Sequence, residues 1–175
     1  MKEKSTPHQS EPSEQKKRGA PGLPVRIEAG VYKIYTALPS TPRKLVDMSL
    51  TENSDLSHNV KLFRDNYEAE SKWKISVSAQ GDLACILINQ KIFRALEAKD
   101  GNVIASIIPA SDAKPGHEWF FKSAGMEAGT DLFYMENKHT GNVMDVKESS
   151  TADNTDIIEF NYVGTINQKF MLVKV

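Results

Sequence analysis

Gln168-Lys169-Phe170-Met171-Leu172 reads as two polar residues, an aromatic ring and the start of an apolar strand. The same order occurs twice more, in Ser71-Lys72-Trp73-Lys74-Ile75 and His117-Glu118-Trp119-Phe120-Phe121. Counted along the chain, the three rings lie 46 and 51 residues apart. A pattern that returns at a near-constant interval predicts one supersecondary unit used three times.

The repeat extends upstream of the rings. Phe63 precedes Trp73 by ten residues, Phe160 precedes Phe170 by ten, and Asp47 and Asp145 lie 16 and 15 residues before those first aromatics. The first and third units also open alike, with Tyr32-Lys33-Ile34 and Phe133-Tyr134-Met135. Twelve short apolar or alternating runs follow one another from Gly30 onward, at 31–35, 44–48, 59–63, 72–77, 83–89, 92–96, 103–108, 118–121, 132–136, 142–146, 156–160 and 169–173. Runs of this length between turn-forming clusters such as Lys99-Asp100-Gly101-Asn102 and Thr140-Gly141-Asn142 predict β-strands. No stretch has the length and period of an amphipathic helix; the best candidate, 92–99, is short and ends in a turn signal.

The chain has 175 residues, enough for one domain with its own core. Its 22 basic and 23 acidic side chains nearly cancel, which argues against nucleic acid as a partner. A single cysteine, Cys85, excludes an intrachain disulfide. Residues 1–26 hold four prolines, nine charged side chains and four apolar ones, too little apolar surface to offset the entropy of ordering. We therefore expect a disordered tail over 1–28, its Lys16-Lys17-Arg18 run solvated, and one all-β domain over 29–175. The sequence lacks a signal-peptide core and a transmembrane segment, so the expected location is cytoplasmic, or outside the cell by release without a classical signal peptide.

The three-fold pattern resembles the ricin-B lectin family, a β-trefoil of three four-stranded units, each with a Gln-x-Trp signature near its end. The third unit carries the resemblance best, in Gly141-Asn142-Val143-Met144-Asp145-Val146, Ile157-Ile158-Glu159-Phe160 and Asn167-Gln168-Lys169-Phe170. The first repeats it in Lys44-Leu45-Val46-Asp47-Met48, Val60-Lys61-Leu62-Phe63 and Ser71-Lys72-Trp73, with Ser71 in place of the Gln. In the middle unit Leu96-Glu97-Ala98 takes the place of the Asp-bearing strand, Ile107-Ile108-Pro109 that of the first aromatic, and His117-Glu118-Trp119 the signature. The signature rings Trp73, Trp119 and Phe170 are expected in the core.

The resemblance implies carbohydrate binding. A sugar offers vicinal hydroxyls and a C–H face, which a carboxylate, an aromatic ring and an amide can match. By position, Asp145 would be the carboxylate, Phe160 the platform and Asn167 the amide, with Gln168 in support. The first unit offers Asp47, Lys61 and Phe63, but Glu70-Ser71 replaces the amides, which makes its pocket weaker or suited to another ligand. The middle unit, without a ring beside Glu97, is expected to bind no sugar. Asp47 and Asp145 could instead cap turns by accepting backbone N–H bonds, and Phe63 and Phe160 could be buried under the hairpins. Glu159, where a core residue is expected, implies either a strand shifted by one, which would turn Phe160 inward, or an exposed edge.

No metal-type spacing links His8, His58, His117 and His139, Cys85 sits in an apolar strand, and no Gly-rich phosphate loop occurs. Neither a cofactor nor catalysis is expected. The expected function is recognition of exposed glycans or glycoproteins, galactose-type sugars among them, with a homodimer or partner subunit to add avidity. The alternative is a protein-interaction trefoil without sugar binding, such as a protease inhibitor or toxin-complex subunit.

Overall fold

The computed structural model describes residues 19–108 and 115–175. All twelve expected strands are present, in three groups of four: β1 (Gly30–Thr36), β2 (Lys44–Glu52), β3 (His58–Arg64) and β4 (Trp73–Val77), then β5 (Cys85–Asn89), β6 (Ala95–Lys99), β7 (Asn102–Ser106) and β8 (Trp119–Glu127), then β9 (Thr130–Asn137), β10 (Val143–Val146), β11 (Thr155–Phe160) and β12 (Phe170–Lys174). The outer strands of the units pair in a closed ring, β1–β4–β5–β8–β9–β12 and back to β1. Closure removes the exposed edges that an open antiparallel sheet would present.

The inner strands form three hairpins, β2–β3, β6–β7 and β10–β11. These meet in a triangle with the same register at each corner: Asn59 opposite Ile104, Asn102 opposite Ile158, and Asp156 opposite Lys61. Asn59, Asn102 and Asp156 are thus equivalent positions around a pseudo-three-fold axis, as are Lys61, Ile104 and Ile158. The barrel and the triangular cap are the architecture that the repeat predicts.

Trp73, Trp119 and Phe170 are fully buried members of one core that also holds Ile34, Leu87 and Met135. Each large ring contributes about 1.5–3 kcal/mol or more from burial alone. The indoles do more: Trp73 Nε1 donates to Val46 O and Trp119 Nε1 to Leu96 O, both at 3.0 Å. Each bond ties a barrel strand to its own unit's hairpin. Asp100 and Gly101, at φ 52° and 82°, make the two-residue turn of the middle hairpin, a backbone that favours Gly in the second place.

Two expectations are corrected. The tail was expected to reach residue 28, but residues 19–28 pack on β8 and β9: Pro24 bridges Lys122, Val25 N donates to Phe121 O at 2.8 Å, and Ile27 is buried in the core. Ala20 N donates to the buried Glu136 carboxylate at 2.6 Å, and Lys122 grips both Glu136 and Ala20 O. Val25 and Ile27 pack on the barrel and backbone bonds do the rest, so a segment poor in apolar residues is held by a few specific contacts. The tail expected over 1–18, with Lys16-Lys17-Arg18, lies outside the described residues. The run at 92–96 was expected as a strand, but the strand is Ala95–Lys99; Ile92 and Phe93 lie in the turn before it, Phe93 at φ 54°.

Replacing Trp73 by Phe keeps the ring and leaves Val46 O without its donor. The expected cost in urea unfolding is about 1–3 kcal/mol, against roughly 3–5 kcal/mol for Trp73→Ala.

Candidate functional site

The outer faces of the three hairpins carry the residues singled out in the sequence. In the third, Asp145 stands opposite Ile158 and Val143 opposite Phe160. Directly paired residues share a face, so Asp145 and Phe160 point the same way, away from the core that Met144, Val146 and Ile157 help to fill. Phe160 is 49% exposed and Asp145 only 5%.

Both carboxylate oxygens of Asp145 are held by amides from the short 3-10 turn Ile166–Gln168. Asn167 Nδ2 donates to Oδ1 and Gln168 Nε2 to Oδ2, each at 2.9 Å. The amides are anchored in turn: Asn167 Nδ2 also donates to Val146 O at 3.1 Å, Gln168 Nε2 to Asn161 O, and Gln168 Oε1 accepts from Val163 N and Gly164 N. Burial pushes the Asp145 pKa up, and the bonds from Gln168 and Asn167 pull it back. The sequence brought together Asp145, Phe160, Asn167 and Gln168, and the structure places all four in one region. Asp145 accepts side-chain amides there rather than capping a turn.

Glu159 follows neither of the two expectations. The strand is not shifted, since Phe160 faces out, yet Glu159 is 8% exposed on the inner side. Its carboxylate is satisfied by Gly101 N at 3.2 Å and the Thr140 hydroxyl at 2.7 Å, two partners from neighbouring turns that no reading of β11 alone would find.

In the first unit Asp47 pairs across the hairpin with Lys61, and Leu45 with Phe63. Phe63 is half-buried and carries two cations, Lys61 Nζ at 4.8 Å and Arg64 at 5.6 Å from the ring centre. Lys61 Nζ also donates to Asn154 Oδ1 at 2.8 Å. Asp47 is 2% exposed, and its Oδ2 has no hydrogen-bond partner. Glu70, at the position of Asn167, is brought beside it by the turn Ala69–Ser71, which Asn89 Nδ2 pins by donating to Glu70 O at 2.8 Å. Burial, with a smaller push from Glu70 and against the pull of Lys61, raises the Asp47 pKa to about 7.

The middle hairpin corrects another expectation. Ala95 pairs with Ser106 as Val143 pairs with Phe160, so Ser106 and not Ile107-Ile108-Pro109 stands at the ring position. The offset arises because this unit has three more residues between that position and its signature Trp119 than the other two have. Ser106 donates to Glu97 Oε2 and lies 2.8 Å from His117 Nε2, the signature side chain there. Among the described residues no group of three or more His, Cys, Asp or Glu is placed to hold a metal. No described helix is long and apolar enough to cross a membrane. Burial pushes the Cys85 thiol up to about 11.

No protein-family model matches the chain, and no curated protein sequence matches it. Solved structures do. ThreeFoil, a designed 3-fold symmetric protein, aligns with a TM-score of 0.68 at 24% identity over 83% of this chain and 99% of its own. The fold is a β-trefoil. The Macrolepiota procera ricin B-like lectin, in complex with lactose, aligns at TM-score 0.65 and 14% identity, over 86% of this chain and 100% of that one. A proteinase inhibitor from Coprinopsis cinerea aligns at 0.68 and 14%, over 85% and 99%. At these identities the trefoil is shared, and function has to be argued from the sites.

The raised Asp47 pKa carries a stability signature. A carboxyl with a higher pKa folded than unfolded favours the fold most below its unfolded value near 4, and that advantage is lost as pH rises towards about 7. Asp47→Asn is therefore expected to be more stable than the parent at about pH 8, by roughly 1–3 kcal/mol, and to lose the parent's decline between about pH 4 and 7. Urea midpoints across that range measure the difference.

Proposed function

We propose that this protein binds carbohydrate through the outer face of its third hairpin. One observation carries the reading: both oxygens of Asp145 are oriented by Asn167 and Gln168, while Phe160 stands half exposed on the same face. An oriented carboxylate accepts hydroxyl hydrogens on its free lone pairs, and the ring takes the C–H face of the sugar. Asn167 serves as the amide partner beside them. The lectin-type neighbour captured with lactose makes galactose-type sugars the first class to test. Single-site affinity on such an open face is expected to be weak, so glycoproteins would be retained through a homodimer or a partner subunit.

A second reading has an observation of its own. Val163 and Ile166, on the loop that carries Gln168, are exposed like Phe160, and apolar surface next to a polar pocket also suits a protein partner. A trefoil that blocks a protease through such a loop is the alternative, with the inhibitor neighbour as its analogue.

A glycan array followed by calorimetry separates them. The parent is expected to bind terminal galactosides; Asp145→Ala is expected to lose binding, and Phe160→Ala to weaken it by about tenfold. Asp145→Ala also strands two amides, at a cost of about 1–3 kcal/mol, so a thermal melt checks that the variant is folded. An array without signal, together with inhibition of a protease, would favour the second reading.

A further inference from the structure

The first hairpin offers the third's backbone with another set of polar groups. Equivalent registers superpose Asp47 on Asp145, Lys61 on Ile158 and Phe63 on Phe160, and the signature superposes Glu70 on Asn167 and Ser71 on Gln168. The donors that hold Asp145 have no counterpart here. Ser71 Oγ turns to Glu68 O at 2.9 Å, and the Glu70 carboxylate receives a long bond from Asn66 at 3.4 Å. Asp47 Oδ2 and Glu70 Oε2 are both buried without a hydrogen-bond partner.

The charged groups around Asp47 and Lys61 come from four elements: Lys61 across the hairpin on β3, Asp156 opposite Lys61 on β11, Glu70 from the turn before β4, and Lys91 from the turn after β5, 3.9 Å from Glu70 Oε2. Burial, with Glu70 close by, disfavours the ionised form of Asp47. At the mouth the position of Ile158 is taken by a lysine that lies against the Phe63 ring, with Arg64 close by. Where the third hairpin has Ile158, the first presents the Lys61 ammonium; Arg64 is paired with Asp153 at 2.9 Å.

We propose that the first-hairpin pocket takes a saccharide bearing a carboxylate, received by Lys61 against the Phe63 ring, and that Asp47 beneath Lys61 gates this binding with pH. The proposal rests on the reading of these hairpin faces as sugar sites. With Asp47 protonated, the ammonium of Lys61 loses its buried counter-charge and pairs with the ligand's carboxylate, while Asp156 opposite it is shared with Lys147 at 3.7 Å. With Asp47 ionised, its charge competes for Lys61 and repels the ligand. Asp47 acts as a positioning residue for Lys61; the contact with ligand is made by Lys61 and Phe63. Burial, helped by Glu70 and opposed by Lys61, puts the change near neutral pH.

Calorimetry with 3′-sialyllactose and methyl galacturonide, each against its neutral counterpart lactose or methyl galactoside, tests this near pH 5.5 and near pH 8. The acidic sugars are expected to bind about tenfold tighter at the lower pH, following the protonated fraction of a group titrating near 7. Asp47→Asn is expected to bind them equally at both. Lys61→Met is expected to lose the acidic sugars and keep the neutral ones, whereas Asp145→Ala does the reverse; thermal melts verify that each variant is folded. Acidic sugars bound no tighter than neutral ones by the parent near pH 5.5 would overturn the proposal, as would a pH dependence that persists in Asp47→Asn. If neutral sugars still bind through Asp145 in that event, the reading of the third hairpin stands; if neither class binds, both readings fall.

Discussion

The bond from an indole N–H to a hairpin carbonyl organises this molecule. Trp73 reaches Val46 O and Trp119 reaches Leu96 O, and in each case the next residue is the pocket acid, Asp47 or Glu97. Because successive strand residues face opposite ways, fixing a carbonyl from inside fixes the acid that points outside. Phe170 fills the same place with no donor to offer. There the tie passes to Asn167, whose amide reaches both Val146 O and Asp145. The third hairpin is thus the one in which the amide that orients the outward acid also fastens the hairpin to the barrel.

The three units keep one backbone while their signature side chains make different bonds. With the indole holding the hairpin, the signature side chain is released: Ser71 bonds its own turn, and His117 joins Ser106 and Glu97. Without the indole, Gln168 stays committed, with four bonds that knit loop, acid and turn together.

The repeat made most of the fold legible. Rings at near-constant spacing and turn signals such as Asp100-Gly101 are local, and each predicted an element that is present. What escaped the sequence depended on partners far along the chain. Glu159 is buried because Gly101 and Thr140 come to meet it, and the segment around Ala20 is ordered because Glu136, 116 residues away, accepts its amide. The ring position of the middle unit was misread because spacing was counted back from Trp119 across a longer loop, where pairing with Ala95 selects Ser106. For the third hairpin the signature pointed to four residues that the fold brings together; the placing of Glu70 beside Asp47 in the first needed the turn to be seen in three dimensions.

Ring closure has a further consequence. A barrel without a free edge holds its three hairpins at fixed directions about the pseudo-three-fold axis, so the outer faces cannot swing to follow a partner. Faces with different chemistry on an unbending frame lie at set distances, so a ligand that spans two of them has to display its matching groups at that spacing.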